Sequence, residues 1–118
     1  MRKVRTIRLA RLWNLGTSSG GQAVETTEEA AAMPEGNVTV AGSVTIKNTS
    51  HTLTIELQGS ADDARTWNVV TSTTMTGVGT FRLTRPNFIY GLARVAVRLA
   101  GNTSFARVED LVVTFVQA

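Results

Sequence analysis

From Asn37 onward apolar side chains recur at every second position, a period that places them all on one face of an extended strand. Val38 and Val40, then Val44 and Ile46, alternate with polar residues across Ala41-Gly42-Ser43, a step of small residues suited to a bulge or tight turn. Leu53, Ile55 and Leu57 fall on one face, and Thr52, Thr54, Glu56 and Gln58 on the other, as in a half-buried strand. Gly59 to Ala64 supplies a turn, and Thr66-Trp67-Asn68-Val69-Val70 opens the return strand of a hairpin. Trp67 lies two residues from Val69 and shares its face. That face is expected to be the interior, so Trp67 is assigned as the core anchor.

Further strands are expected around Gly79 to Leu83, Ala93 to Leu99 and Asp110 to Val116, in a chain where helix formers are sparse after Met33. Arg85-Pro86-Asn87 interrupts the pattern, because proline cannot donate to a ladder. In LARVAVRL, Val95, Val97 and Leu99 alternate with Arg94 and Arg98, which point to the opposite face. About six to eight short strands with a turn roughly every ten residues predict an all-β, antiparallel β-sandwich or jelly-roll-like domain over residues 37–118. A chain of 118 residues is one domain, long enough to bury a core unaided.

Residues 1–36 read differently, as a basic, extended N-terminal arm and linker. Arg2, Lys3, Arg5, Arg8 and Arg11 precede any acid, and Glu25, Glu28, Glu29 and Glu35 follow with no base among them. KVRTIRLARLW reads as a strand with Arg5, Ile7, Leu9 and Arg11 on one side, in preference to a short helix that would place Val4, Ile7 and Arg11 together. GTSSGGQ has linker composition, and Thr26 or Thr27 before acids and alanines predicts a short helix that Pro34-Glu35-Gly36 would end. Linker and charge composition predict that this arm is disordered before assembly. Electrostatic recognition is expected to run through Arg2, Lys3, Arg5, Arg8 and Arg11.

Composition removes several classes of chemistry. Cysteine is absent, which excludes disulfides, thiolate nucleophiles and Cys-based metal sites. The basic opening lacks the apolar run of about 7 to 15 residues of a signal peptide, and no stretch approaches the roughly 20 apolar residues of a membrane span. A soluble protein not exported by that route is expected, so the triplets at Asn37, Asn48 and Asn102 are read as turn and strand-end chemistry and not as glycosylation sites.

His51, the one histidine, stands in NTSHTLT without a nucleophile-elbow pattern around any serine, and reads as a solvated turn residue. Asp62 and Asp63, with Glu56 or Asn68, offer carboxylates to calcium, but their spacing fits no calcium loop and suits turn residues that hydrogen-bond their own backbone. Glu109 and Asp110 are strand neighbours and point to opposite faces, which disfavours a shared catalytic proton. No enzyme activity, cofactor or metal is expected. Trp13, Trp67 and Tyr90 could stack on sugars or bases. The arm's arginines, without interleaved aromatics or a nucleic-acid motif, disfavour nucleic acid and make a protein surface the expected partner.

LQGSADDARTWNVV resembles a signature of small β-sandwich domains in tailed-bacteriophage virion proteins and discoidin-like jelly-roll modules, a strand reading roughly v.gS.DG..W..v. Leu57, Gly59, Ser60, Asp62, Trp67 and Val70 occupy the matching places, and Tyr90, Arg94, Val95, Val97 and Gly101 echo a later y.RvrV...g strand. One departure is Asp63, which stands where the signature has glycine. The resemblance, over about Val38 to Val116, implies a virion structural protein of the capsid decoration (cement) type, bound to the major capsid protein or other virion proteins and assembled in the host cytoplasm. It also implies a homo-oligomer, a trimer where such proteins occupy threefold positions. A head-tail connector, tail or fibre-attachment component is the alternative, and a carbohydrate-binding module, which would need exposed aromatics, is the alternative of another class.

Overall fold

The computed structural model describes residues 3–17, 23–33, 36–48, 52–100 and 104–117. Arg2, His51, Asn102, most of the glycine-serine linker and the Pro34-Glu35 helix stop lie outside these residues. The strands are β1 (Lys3–Gly16), β2 (Ala23–Thr26), β3 (Ala30–Ala31), β4 (Gly36–Lys47), β5 (Leu53–Ser60), β6 (Asn68–Met75), β7 (Gly79–Phe88), β8 (Leu92–Leu99) and β9 (Phe105–Gln117). All pairings are antiparallel. No helix among the described residues is long and apolar enough to cross a membrane.

The topology is that of a long hairpin folded over on itself. β5 pairs with β6, β4 with β7, β2 and β3 with β8, and β1 with β9, each pair enclosing the one before. Two further ladders, β4 with β9 and β5 with β8, stitch these pairs into a first sheet ordered β1-β9-β4-β7 and a second ordered β2-β8-β5-β6. Nested pairs closed in this way define a jelly roll, which leaves only outer strands to manage as edges. The all-β sandwich expected from the alternation is what the chain forms.

The core sits between the sheets and is built largely from the alternating positions, except that Ile46, expected on the face of Val44, is 38% exposed beyond a register shift between the two. Val38, Val40 and Val44 of β4 and Val108, Leu111, Val113 and Phe115 of β9 meet Leu53, Ile55 and Leu57 of β5 and Val95, Val97 and Leu99 of β8. Each such side chain contributes roughly 1.5–3 kcal/mol on leaving water, so these aligned faces supply the main drive to fold.

Three expectations are corrected. First, residues 3–31 are not an appendage to a domain starting at residue 37. β1 runs along β9 from Lys3 opposite Gln117 to Gly16 opposite Phe105, and its Leu15 is 2% exposed in the core. Second, the segment after Thr26 is not helical: Thr27 N–H donates to the Val95 carbonyl, Val95 N–H donates to Thr27 Oγ1, and Ala32 N–H donates to the Gly91 carbonyl. Bonding to β8 outweighs the weak local helix preference. Third, Arg85-Pro86-Asn87 does not end its strand. β7 is an edge, where a missing N–H costs no ladder bond, and the register slips between Gly36 and Val38 opposite it while Asn87 takes φ 53°.

Candidate binding surfaces

Two surfaces carry the polar chemistry. The first is the β1 edge. Before the bulge between Arg8 and Ala10, Lys3, Arg5 and Ile7 share one side of the strand, and Val4, Thr6 and Arg8 the other. The Arg5 guanidinium lies 5.2 Å from the centre of the buried Phe115 ring, covering the end of the core. Arg8 pairs with Val112 on the opposite side, near the Thr6–Thr114 hydroxyl contact of 3.3 Å, and Arg11 is exposed beyond the bulge. Of the predicted basic residues, Lys3, Arg5, Arg8 and Arg11 therefore share an open strand edge but not a single face. Charge and a bulge along an edge also discourage indiscriminate strand pairing.

The second surface is the outward face of the second sheet. Gln58 of β5 pairs with Arg94 of β8, and Glu56 with Ala96, while Thr54 pairs with Arg98. Arg94 Nε donates to Gln58 Oε1 at 2.7 Å, Gln58 Nε2 donates to Glu56 Oε1 at 3.1 Å, and Arg98 Nε donates to Glu56 Oε2 at 3.3 Å. Gln58 is 6% exposed although it points away from the core, because this network lies over it. The Arg94 guanidinium in turn sits 4.2 Å from the centre of the Trp67 ring.

Trp67 is thus not the core anchor. It is half-buried and absent from the core cluster. It does share the side of Val69, but the register slip between Leu57 and Gln58 pairs Val69 with outward-facing Gln58, and Val69 is 53% exposed. Val70 packs against the core instead. Two adjacent valines made either face equally consistent with the alternation.

The turn between β5 and β6 is tied from within. Ser60 Oγ donates to Asp62 Oδ1 at 2.9 Å and accepts from Ala64 N–H at 3.0 Å. Asp62 also accepts from Thr66 N–H at 2.9 Å and from Thr66 Oγ1 at 2.6 Å. These bonds, that from the Thr66 hydroxyl foremost, hold its pKa below the ordinary carboxylate value. Its oxygens are engaged as a turn residue's are, and no group of three or more metal-ligating side chains occurs among the described residues. Asp63, at the signature's glycine position, takes φ 60° and Ala64 takes φ 70°. The left-handed turn survives without glycine.

Sequence reasoning placed Glu56, Gln58, Arg94 and Arg98 on outward faces but did not bring them together. Their partnership depends on β5 lying beside β8, a pairing of residues 36 and 42 positions apart. Beside this network, Thr26, Thr27, Glu28, Glu29 and Arg94 line a shallow, open depression of about 440 Å³. Asn48, in a glycosylation-type triplet, serves the fold, since its Oδ1 accepts from Phe105 N–H at 2.7 Å.

These features define an all-β jelly-roll sandwich with one basic edge and one networked polar face. No family model and no curated protein matches the chain. Among solved structures, it is similar to the enzymatically active domain of bacteriophage CBA120 tailspike protein 4, at 10% identity and TM-score 0.62, covering 97% of this chain and 19% of that one. It is also similar to a carbohydrate-binding module, CBM4, at 14% identity and TM-score 0.58, covering 95% and 70%. A third likeness is to VP2 of the infectious bursal disease virus subviral particle, at 13% identity and TM-score 0.56, covering 98% and 32%. The chain thus spans a small part of the two viral proteins. At these identities the likeness is one of fold.

Proposed function

We propose that this chain is a non-enzymatic structural protein of a virus particle, most specifically a capsid decoration protein that stabilises the shell by bridging major capsid subunits. The observation that carries this reading is the β1 edge, a fourteen-residue strand held against β9 with Lys3, Arg5, Arg8 and Arg11 distributed over its two faces. A rigid strand presents those cations at fixed spacing to an acidic protein surface. Contact with several subunits at once multiplies modest affinities, and assembly as a homo-oligomer, a trimer at threefold positions, extends that avidity. Folds of this kind in a tailspike and in a viral capsid protein support a place in the virion. The tailspike likeness favours, as the second reading, a tail or fibre-attachment position.

Gold-labelled antibody against the chain, applied to particles purified from the culture that produces it, tests the proposal. Label spread over the head is expected. Label restricted to the neck or tail supports the second reading, and particles without label contradict both.

A further inference from the structure

The outward face of the second sheet has a composition that shell binding does not require. Trp67, Arg94, Gln58, Glu56 and Arg98 form one connected chain of contacts, from the loop before β6 across β8 and β5. The aromatic ring fixes one side of the Arg94 guanidinium, and nearly buried Gln58 accepts its Nε hydrogen bond. Arg94 therefore lies in one orientation at the Thr26–Glu29 depression, where its Nη groups are donors additional to the Nε bond. Preorganisation of this kind lowers the ordering cost of binding a polar ligand.

We propose that this face is a carbohydrate-binding site for neutral oligosaccharides. The lining selects the class. An anionic ligand approaching Arg94 meets the carboxylates of Glu28 and Glu29, and a cationic ligand meets the guanidinium. Sugar hydroxyls both donate and accept, so an uncharged polyol satisfies the arginine and the two glutamates together. Trp67, whose ring face carries the guanidinium, holds Arg94 in place for that contact, and Thr26 adds a hydroxyl beside it. This site lies on the second sheet, away from the β1 edge in the first, so it is independent of the proposed role in the particle.

The test is binding of the intact chain to an array of neutral β-linked gluco-, galacto-, manno- and xylo-oligosaccharides and to polyuronates, followed by titration of the best binder with tryptophan fluorescence. Saturable binding to a neutral oligosaccharide is expected, insensitive to salt. Trp67→Ala and Arg94→Lys should each weaken it by about tenfold or more, and Glu28→Gln, in a segment between strands, should weaken it while leaving the β-sheet circular dichroism and melting temperature unchanged. Arg8→Ala should leave binding intact. No neutral binder on the array overturns the proposal, as does binding that survives both Trp67→Ala and Glu28→Gln. Salt-sensitive binding to polyuronates alone overturns it in favour of a site for anions.

Discussion

The guanidinium of Arg94 lies 4.2 Å from the centre of the Trp67 ring, on the outside of the sandwich. This places Trp67 in a cation–aromatic pair and not in the core, and the two positions differ in energy. Trp67→Ala is expected to cost less than about 2 kcal/mol, against about 3–5 kcal/mol for a tryptophan removed from a packed core. Urea unfolding of the single variants and of the double variant with Arg94→Ala measures it, with an expected coupling of about 0.5–1 kcal/mol. A loss near 4 kcal/mol would return Trp67 to the core.

Gly59 lies under Tyr90, and a Cβ built on it would fall 2.4 Å from a ring carbon. That ring is itself held edge-on to Phe88, with 5.4 Å between ring centres. Gly59→Ala should therefore destabilise by about 1–3 kcal/mol through overpacking. Adding Tyr90→Ala should recover part of the loss, so the two changes are expected to be non-additive in denaturant unfolding.

Ala64 sits at φ 70°, where a side chain costs roughly 1–2 kcal/mol and glycine costs nothing. Ala64→Gly gives back part of that gain through a more flexible unfolded chain, so a net stabilisation of about 0.5–1 kcal/mol is expected. An unchanged or lowered denaturation midpoint would show that the turn does not hold this conformation.

Asp62 has a depressed pKa because it accepts bonds from Thr66 and Ser60. A depressed folded-state pKa means that its contribution is complete above the unfolded value, near 4, and fades as pH falls through the lower folded value. Asp62→Asn should thus melt below the parent at pH 7, and the two melting temperatures should converge as pH is lowered through that range. A gap that is independent of pH would contradict the role given to the charge.

Deletion of residues 1–16 removes β1, exposes the long flank of β9 and takes Leu15 from the core. Loss of cooperative thermal unfolding by circular dichroism is expected. Arg8→Glu together with Arg11→Glu, both exposed, should shift stability by no more than about 0.5 kcal/mol. A stable, cooperative deletion product would mean that the basic segment is an appendage after all.

The strand-by-strand core was legible because it is local: Val38, Leu53, Ile55, Leu57, Val95 and Val97 each follow from alternation within one strand. Pairings between distant segments were not. Nothing near Val4 or Ile7 announces that they lie beside Val116 and Val113, and a basic stretch followed by glycine and serine reads as an arm until β9 is placed next to it. The helix expected after Thr26 failed for the same reason, since its backbone bonds go to Val95 and Gly91. Trp67 was misplaced by a single register slip at Leu57/Gln58, because one slipped residue exchanges the two faces. The polar face inherits all of these difficulties, being assembled from β5, β8 and a loop.

The proposed place of the chain in a virus particle is tested most directly by its copy number, measured by quantitative mass spectrometry of purified particles against the major capsid protein. A decoration protein that bridges shell subunits predicts a copy number of the same order as the capsid protein, lost in step with particle stability when Arg5, Arg8 and Arg11 are replaced together by glutamate. A handful of copies per particle, or none, would contradict it.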